Sequence, residues 1–209
     1  MKNTLIYLHG FNSASVDGKG ALLPDKQKLH LLNEVCQQNQ VQFQAPNLDY
    51  TNPAVAAASL VEVAEDLALH NPSGDITFIG TSLGGFMAAY MGMRTNTAAI
   101  MINPAINPSL SLRGYIGPCQ NYATGERYLW TRENCKLFIP LKQALNQASG
   151  LPRTLLIDMG DEVLDSNETL MKYRGIADVH KFPGGSHRFE HIHEALPIIK
   201  NVILSTNNC

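Results

Sequence analysis

The chain has 209 residues, enough for one sizeable core, since a domain of this size buries about 70% of its unfolded surface. One domain spanning 1–209 is therefore the expectation. Hydrophobic residues make up 44% and charged residues only 16%, and the net charge of -2 carries no large field of either sign, which argues against a nucleic-acid partner. No stretch approaches the about 20 apolar residues of a membrane helix. The run Leu5-Ile6-Tyr7-Leu8 is broken by His9-Gly10, too short for a signal-peptide core. Cys36, Cys119, Cys135 and Cys209 show no CxxC spacing and read as free thiols, so a cytoplasmic location is expected.

In chain order, Thr4-Leu5-Ile6-Tyr7-Leu8 is a continuous, β-rich run and reads as a buried strand that ends at His9-Gly10-Phe11-Asn12. Residues 12–20 are polar and glycine-rich, which predicts a mobile loop. From Pro24 to Asn39, Leu29, Leu32, Val35 and Cys36 recur at helical spacing. Val41 to Ala45 alternates as a strand. Asn52-Pro53 caps a second helix whose stripe is Ala56, Leu60, Val63, Ala64 and Leu67, ended by Asn71-Pro72. A strand at Ile76–Ile79, a helix from about Leu83 to Met93 and a strand at Ala98–Ile102 follow. Strands alternating with helices in this way predict a parallel sheet covered on both faces.

Residues 105–150 break the rhythm with Pro108, Gly114, Gly117, Pro118 and Gly125, and regular structure is expected only as a short helix from about Leu141 to Ala148. Such an insert reads as a lid or binding loop, with a surface excursion holding its own apolar cluster as the alternative. Tyr115, Tyr122, Tyr128 and Trp130 are concentrated there and are candidates to roof a small acyl pocket. The sheet resumes at Thr154–Ile157, a helix follows from Ser166, and Asp178–Phe182 is a last strand. Phe189, Ile192, Leu196, Ile199 and Ile203 then trace one helical face, with Pro197 kinking that helix or starting its second half.

The chemistry centres on Gly80-Thr81-Ser82-Leu83-Gly84, the Gly-x-Ser-x-Gly spacing of a nucleophile elbow, where a serine sits on a strained strand-to-helix turn. A glycine-rich turn can instead cradle a phosphate, but neither phosphate-loop fingerprint is present. A serine hydroxyl needs a base and a group to orient that base. His187, on the glycine-rich turn after the last strand, is the candidate base, whereas His191 and His193 fall in or near the final helix. His187 and His191 at i, i+4 could suggest a metal pair, but no third ligand joins them, so no metal is expected. Among Asp158, Asp161, Glu162 and Asp165, Asp161 is preferred as the acid. Asp158 falls inside the strand, and Asp165 heads a capping box with Glu168, although it stays the alternative. The backbone N–H groups of Phe11 and Leu83 are the candidate oxyanion donors. His9 reads as support for the Phe11 turn.

Together, Tyr7-Leu8-His9-Gly10-Phe11-Asn12-Ser13, the elbow, Gly160-Asp161-Glu162-Val163-Leu164-Asp165 and Gly184-Gly185-Ser186-His187 resemble the small bacterial YqiA-type esterases of the α/β-hydrolase superfamily, over essentially the whole chain. The resemblance implies an α/β-hydrolase fold and an esterase acting on short acyl esters, small molecules, with Ser82, Asp161 and His187 as its triad. It implies no cofactor. Residues 105–150 match no motif of that family, so substrate preference does not carry over. An acyl-CoA or acyl-carrier thioesterase and a non-catalytic binding protein of the same fold are the alternatives.

Overall fold

The computed structural model describes residues 3–72 and 74–205. Cys209, one of the expected free thiols, lies outside the described residues, while Cys36, Cys119 and Cys135 are unpaired. Continuous apolar runs can sit only where both faces of a strand are covered. Accordingly β1 (Thr4–Leu8), β3 (Ile76–Thr81), β4 (Ala98–Ile102) and β7 (Arg153–Asp158) form the buried centre of a six-stranded sheet. The less apolar β2 (Gln42–Gln44) and β8 (Asp178–Phe182) form its edges. The order is β2-β1-β3-β4-β7-β8 and every pairing is parallel.

Helices cover both faces. On one side lie α1 (Gln27–Gln38) and α8 (Ile192–Leu204), whose Leu29, Leu32 and Cys36 pack with Ala195, Ile199 and Ile203 over Leu5, Ile79 and Ile100. On the other lie α2 (Pro53–His70) and α3 (Leu83–Thr95), with Leu60, Phe86 and Met87 against Ile6, Phe78 and Met101. The chain leaves β1 toward one face and β3 toward the other. Their C-terminal ends therefore flank a topological switch point, the crevice where open α/β sheets bind ligands.

Local chemistry accounts for the boundaries. Asn52 Oδ1 accepts from Val55 N–H with Pro53 at the first helical position, and Asp165 Oδ1 accepts from the Asn167 and Glu168 amides to start α7 (Ser166–Tyr173). Helix α1 begins later than Pro24, because Lys26 N–H closes a turn onto Leu23 O before helical bonding starts. Pro197 lies inside α8. The loop expected to be mobile is tied down: Asn47 Oδ1 accepts from the Ser15 and Val16 amides, Asp17 Oδ1 from those of Lys19 and Ala21, and Val16 bridges Leu22.

Residues 105–150 are more regular than their glycines and prolines suggest. They hold α4 (Pro108–Ser111), a 3-10 turn at Leu112–Tyr115, the hairpin β5 (Gly117–Gln120) and β6 (Arg127–Trp130), α5 (Arg132–Lys136) and α6 (Phe138–Gln147). Two local devices escape a reading by periodicity. Asn121 Oδ1 accepts from the Ala123 and Thr124 amides, and Gly125 takes a positive φ of 75°, which closes the hairpin. Thr131 and Asn134 form a reciprocal capping box that starts α5. Helix α6 then buries Phe138, Leu141 and Leu145 in the same core as α3.

Candidate active site

The strand-to-helix turn at Ser82 explains its glycines sterically. A Cβ on Gly80 would lie 2.2 Å from Gly84 O, and one on Gly84 would lie 1.9 Å from Leu8 O, a backbone atom that cannot yield. With both absent, Ser82 adopts φ 59° and ψ -121°, a strained conformation for a side-chain-bearing residue. Backbone bonds hold it there: Ser82 N–H donates to Ile102 O at 3.0 Å, while Ser82 O accepts from the Gly85 and Ala105 amides at 3.0 Å each. The hydroxyl stands at the N-terminus of α3, where free N–H groups and the helix dipole favour developing negative charge.

Two further strand ends meet this hydroxyl. His187 Nε2 lies 2.9 Å from Ser82 Oγ, and His187 Nδ1 lies 2.8 Å from Asp161 Oδ2. Asp161 accepts the Nδ1–H, which leaves Nε2 as the acceptor for the serine proton. The other oxygen of Asp161 accepts from the Val163 and Leu164 amides, both at 2.9 Å. Burial works to raise the Asp161 pKa, but the bonds from His187, Leu164 and Val163 outweigh it and hold the carboxyl below its ordinary value. Asp165, the alternative acid, is engaged in capping α7.

A second set of polar groups holds the loop that carries His187, a role different from those for which the sequence brought Asp158, Glu162 and His191 forward. Asp158 is not inert within its strand: it is the last residue of β7, fully buried, and its carboxylate accepts from Ser186 N–H at 3.2 Å, Glu190 N–H at 2.8 Å and His191 Nδ1–H at 2.8 Å. Asn103, at φ 40° after β4, donates Nδ2–H to Ser186 O and accepts from Asp158 N–H. Exposed Glu162 accepts from His187 N–H at 2.9 Å, which lowers its own pKa. Lys28 donates to Arg188 O at 2.7 Å and to Thr81 Oγ1 at 3.3 Å; burial pulls its pKa down to about 8 against the attraction of Asp158. Gly184 and Gly185 take φ near 70°, and a Cβ on Gly185 would strike Asp158 Oδ2 at 2.0 Å. The Gly-Gly before Ser186-His187 is thus needed for close approach as well as for the turn. The one signal in the sequence was the pair of carboxylates, Asp158 and Asp161, three apart at a strand end. His193 is exposed and is among the residues lining the cavity over Ser82.

On the opposite side of Ser82, His9 supports the turn. Its Nε2 accepts from Leu48 N–H at 2.9 Å, so its Nδ1–H donates to Gly10 O at 2.8 Å, and Tyr50 O–H donates to His9 O at 2.6 Å. The Gly10 carbonyl and the Phe11 N–H belong to one planar peptide and point in opposite directions. Pinning the carbonyl therefore aims the N–H. Burial lowers the His9 pKa to about 4, which keeps the ring neutral.

A cavity of about 1160 Å³ opens over Ser82 and His187, with Phe11, Leu83, Tyr115 and Tyr122 in its wall. Tyr128 and Trp130, expected in the same roof, are not among its lining residues. They sit behind Phe11, whose ring meets Trp130 edge-on at 4.7 Å. Among the described residues no three His, Cys, Asp or Glu side chains are grouped as a metal site requires, and no helix is long and apolar enough to cross a membrane.

The fold is shared with solved esterases and hydrolases. Est1E from Butyrivibrio proteoclasticus superposes with a TM-score of 0.77 at 14% identity, over 98% of this chain and 88% of that one. An α/β-superfamily putative hydrolase from Xanthomonas campestris gives 0.64 at 17%, over 97% and 98%. The mouse α/β hydrolase domain-containing protein 10 gives 0.66 at 16%, over 96% and 89%. At these identities the likeness establishes the α/β-hydrolase fold. Residues 4–203 match the model of a sequence family, and on that match the chain belongs to the Uncharacterised protein family (UPF0227).

Proposed function

We propose that the chain is a serine hydrolase that cleaves carboxylic esters of short acyl groups through an acyl-enzyme. The observation that carries this reading is the continuous line Ser82 Oγ, His187 Nε2, His187 Nδ1, Asp161 Oδ2, with separations of 2.9 and 2.8 Å, at the floor of an open cavity. Ser82 attacks the acyl carbon as His187 takes its proton, and Asp161 holds the imidazole in the Nδ1–H tautomer and stabilises the imidazolium. The Phe11 and Leu83 amides receive the oxyanion. His187 then protonates the leaving alcohol, and water repeats the sequence to release the acid.

The strained Ser82 backbone and the turn pinned by His9 support the same assignment, because both fix groups before substrate arrives. Est1E, which shares the fold, has been solved with ferulic acid bound. The ring-lined mouth at Tyr115 and Tyr122 makes aromatic acyl esters a sensible second series beside short aliphatic ones. Ser82→Ala is expected to abolish turnover of p-nitrophenyl acetate in a chain that still folds. Activity near the wild-type level would overturn the proposal.

A further inference from the structure

The hairpin of the insert is docked on the Phe11 loop by a set of specific contacts. Tyr122 N–H donates to Asn12 O at 2.9 Å, Asn121 Nδ2–H donates to Ser13 O at 3.0 Å, and the Tyr128 hydroxyl donates to Asn12 Oδ1. Asn12 is buried and holds a positive φ of 55°, a conformation that asparagine tolerates but that needs external support. The Phe11 ring is gripped edge-on by Trp130 at 4.7 Å and Tyr115 at 5.1 Å. Trp130 is 1% exposed and donates its indole N–H to Cys135 Sγ at 3.2 Å, which couples β6 to α5. Helix α5 is tied in turn to the chain after β2, through Asn134 Nδ2–H to Thr51 O at 2.9 Å.

We propose that the β5–β6 hairpin is a brace that fixes the oxyanion turn, with Tyr128 as its positioning residue. The proposal rests on the serine-hydrolase reading above and assigns the insert a job beyond lining a pocket. His9 pins the peptide that bears the Phe11 N–H from the carbonyl end. The hairpin pins the following residues: Phe11 through its ring, Asn12 through both its carbonyl and its side chain, and Ser13 through its carbonyl. A donor that drifts by about 1 Å can forfeit on the order of 10²-fold in rate, as much as deleting it outright at the low end. Burial raises the Tyr128 pKa, so its hydroxyl stays a donor across the working range. The outer face of the hairpin, with Leu129 63% exposed, faces away from this contact.

The test compares Tyr128→Phe, which keeps the ring and loses the hydroxyl, with Leu129→Ala on the outer face. With p-nitrophenyl butyrate, Tyr128→Phe is expected to lower kcat about tenfold with KM within about twofold. The affinity for butylboronic acid, whose serine adduct carries the oxyanion, should fall by a similar factor. The acid limb of the kcat/KM profile should not move, since His187 and Asp161 are untouched, and Leu129→Ala should match wild type. Unchanged kcat and boronate affinity in Tyr128→Phe, or a change confined to acyl-chain preference, would overturn the brace. Should Tyr128→Phe fold poorly, Asn121→Ala removes the Ser13 contact together with the Oδ1 acceptor that closes the hairpin tip, and is expected to give the same kcat and boronate pattern. The underlying reading fails separately, through an active Ser82→Ala.

Discussion

The two loops that flank Ser82 do related jobs with different chemistry. The His187 loop is held by charge. Asp158 and Glu162 accept three of its amides, Lys28 caps one of its carbonyls, and Asn103 fills the gap between. The Phe11 loop is held by neutral rings, with His9 and Tyr50 beneath it and Tyr128 and Trp130 behind it. The difference follows from what each loop must do. On the proposed mechanism the histidine becomes cationic in each turnover, which suits supports of negative charge. An oxyanion turn must not place a negative group near its donors, so neutral supports suit it.

The sharpest way to break that comparison is to remove Asp158. Asp158→Ala leaves the part-buried amides of Ser186 and Glu190 and the His191 ring without their acceptor, each such loss costing about 1–3 kcal/mol. Asp158→Asn keeps one oxygen for the two amides, and His191 can change tautomer to accept from the new NH₂ group. The alanine variant should therefore lose both stability in urea titration and kcat, and the asparagine variant should recover most of each. If the two variants behave alike, Asp158 is not what orders the His187 loop.

How legible each side was in the sequence follows from the same distinction. The parallel sheet, the elbow and the placing of Ser82, Asp161 and His187 at strand ends were readable, because strand periodicity and glycine spacing are local signals. Asp158 escaped because nothing local marks a carboxylate as bonded to a loop 28 to 33 residues further on. His191 is expected in or near the final helix and stands just before α8, but its bond to Asp158 carries no mark in the sequence. In the insert, Asn121 and the Thr131–Asn134 capping box are short polar devices of the sort that periodicity counts overlook. The four aromatic residues were recognised as a group, but only geometry separates Tyr115 and Tyr122, on the cavity wall, from Tyr128 and Trp130, which back the Phe11 loop.

Neutrality on the Phe11 side can be sharpened by pH. Burial lowers the His9 pKa to about 4 from the ordinary 6.5. Between those values the unfolded chain binds more protons than the folded one, so this residue makes stability rise with pH across the window. Acidification from 6.5 toward 4 should remove ~3 kcal/mol through His9, with the loss levelling off below the folded value. Urea titrations at pH 7 and pH 4 check this by difference: the gap between wild type and His9→Gln should narrow by about that amount at low pH. Parallel curves would mean that the ring is not held neutral by burial.

The smallest expected effect tests whether the two sides are independently anchored. Thr131 Oγ1 accepts from Asn134 N–H at 3.1 Å, and Asn134 Oδ1 accepts from Thr131 N–H at 2.8 Å. Thr131→Ala deletes one half of that cap at the junction of β6 and α5 and should cost about 1 kcal/mol in thermal unfolding. Asn134→Ala should cost more, because it also cuts the bond to Thr51 O. Neither residue touches the His187 loop. Any loss of activity should therefore appear in boronate affinity, with the acid limb of the pH profile unmoved. A shift of that limb in Asn134→Ala would mean that the insert reaches the histidine as well, and that the charged and neutral supports act as one structure.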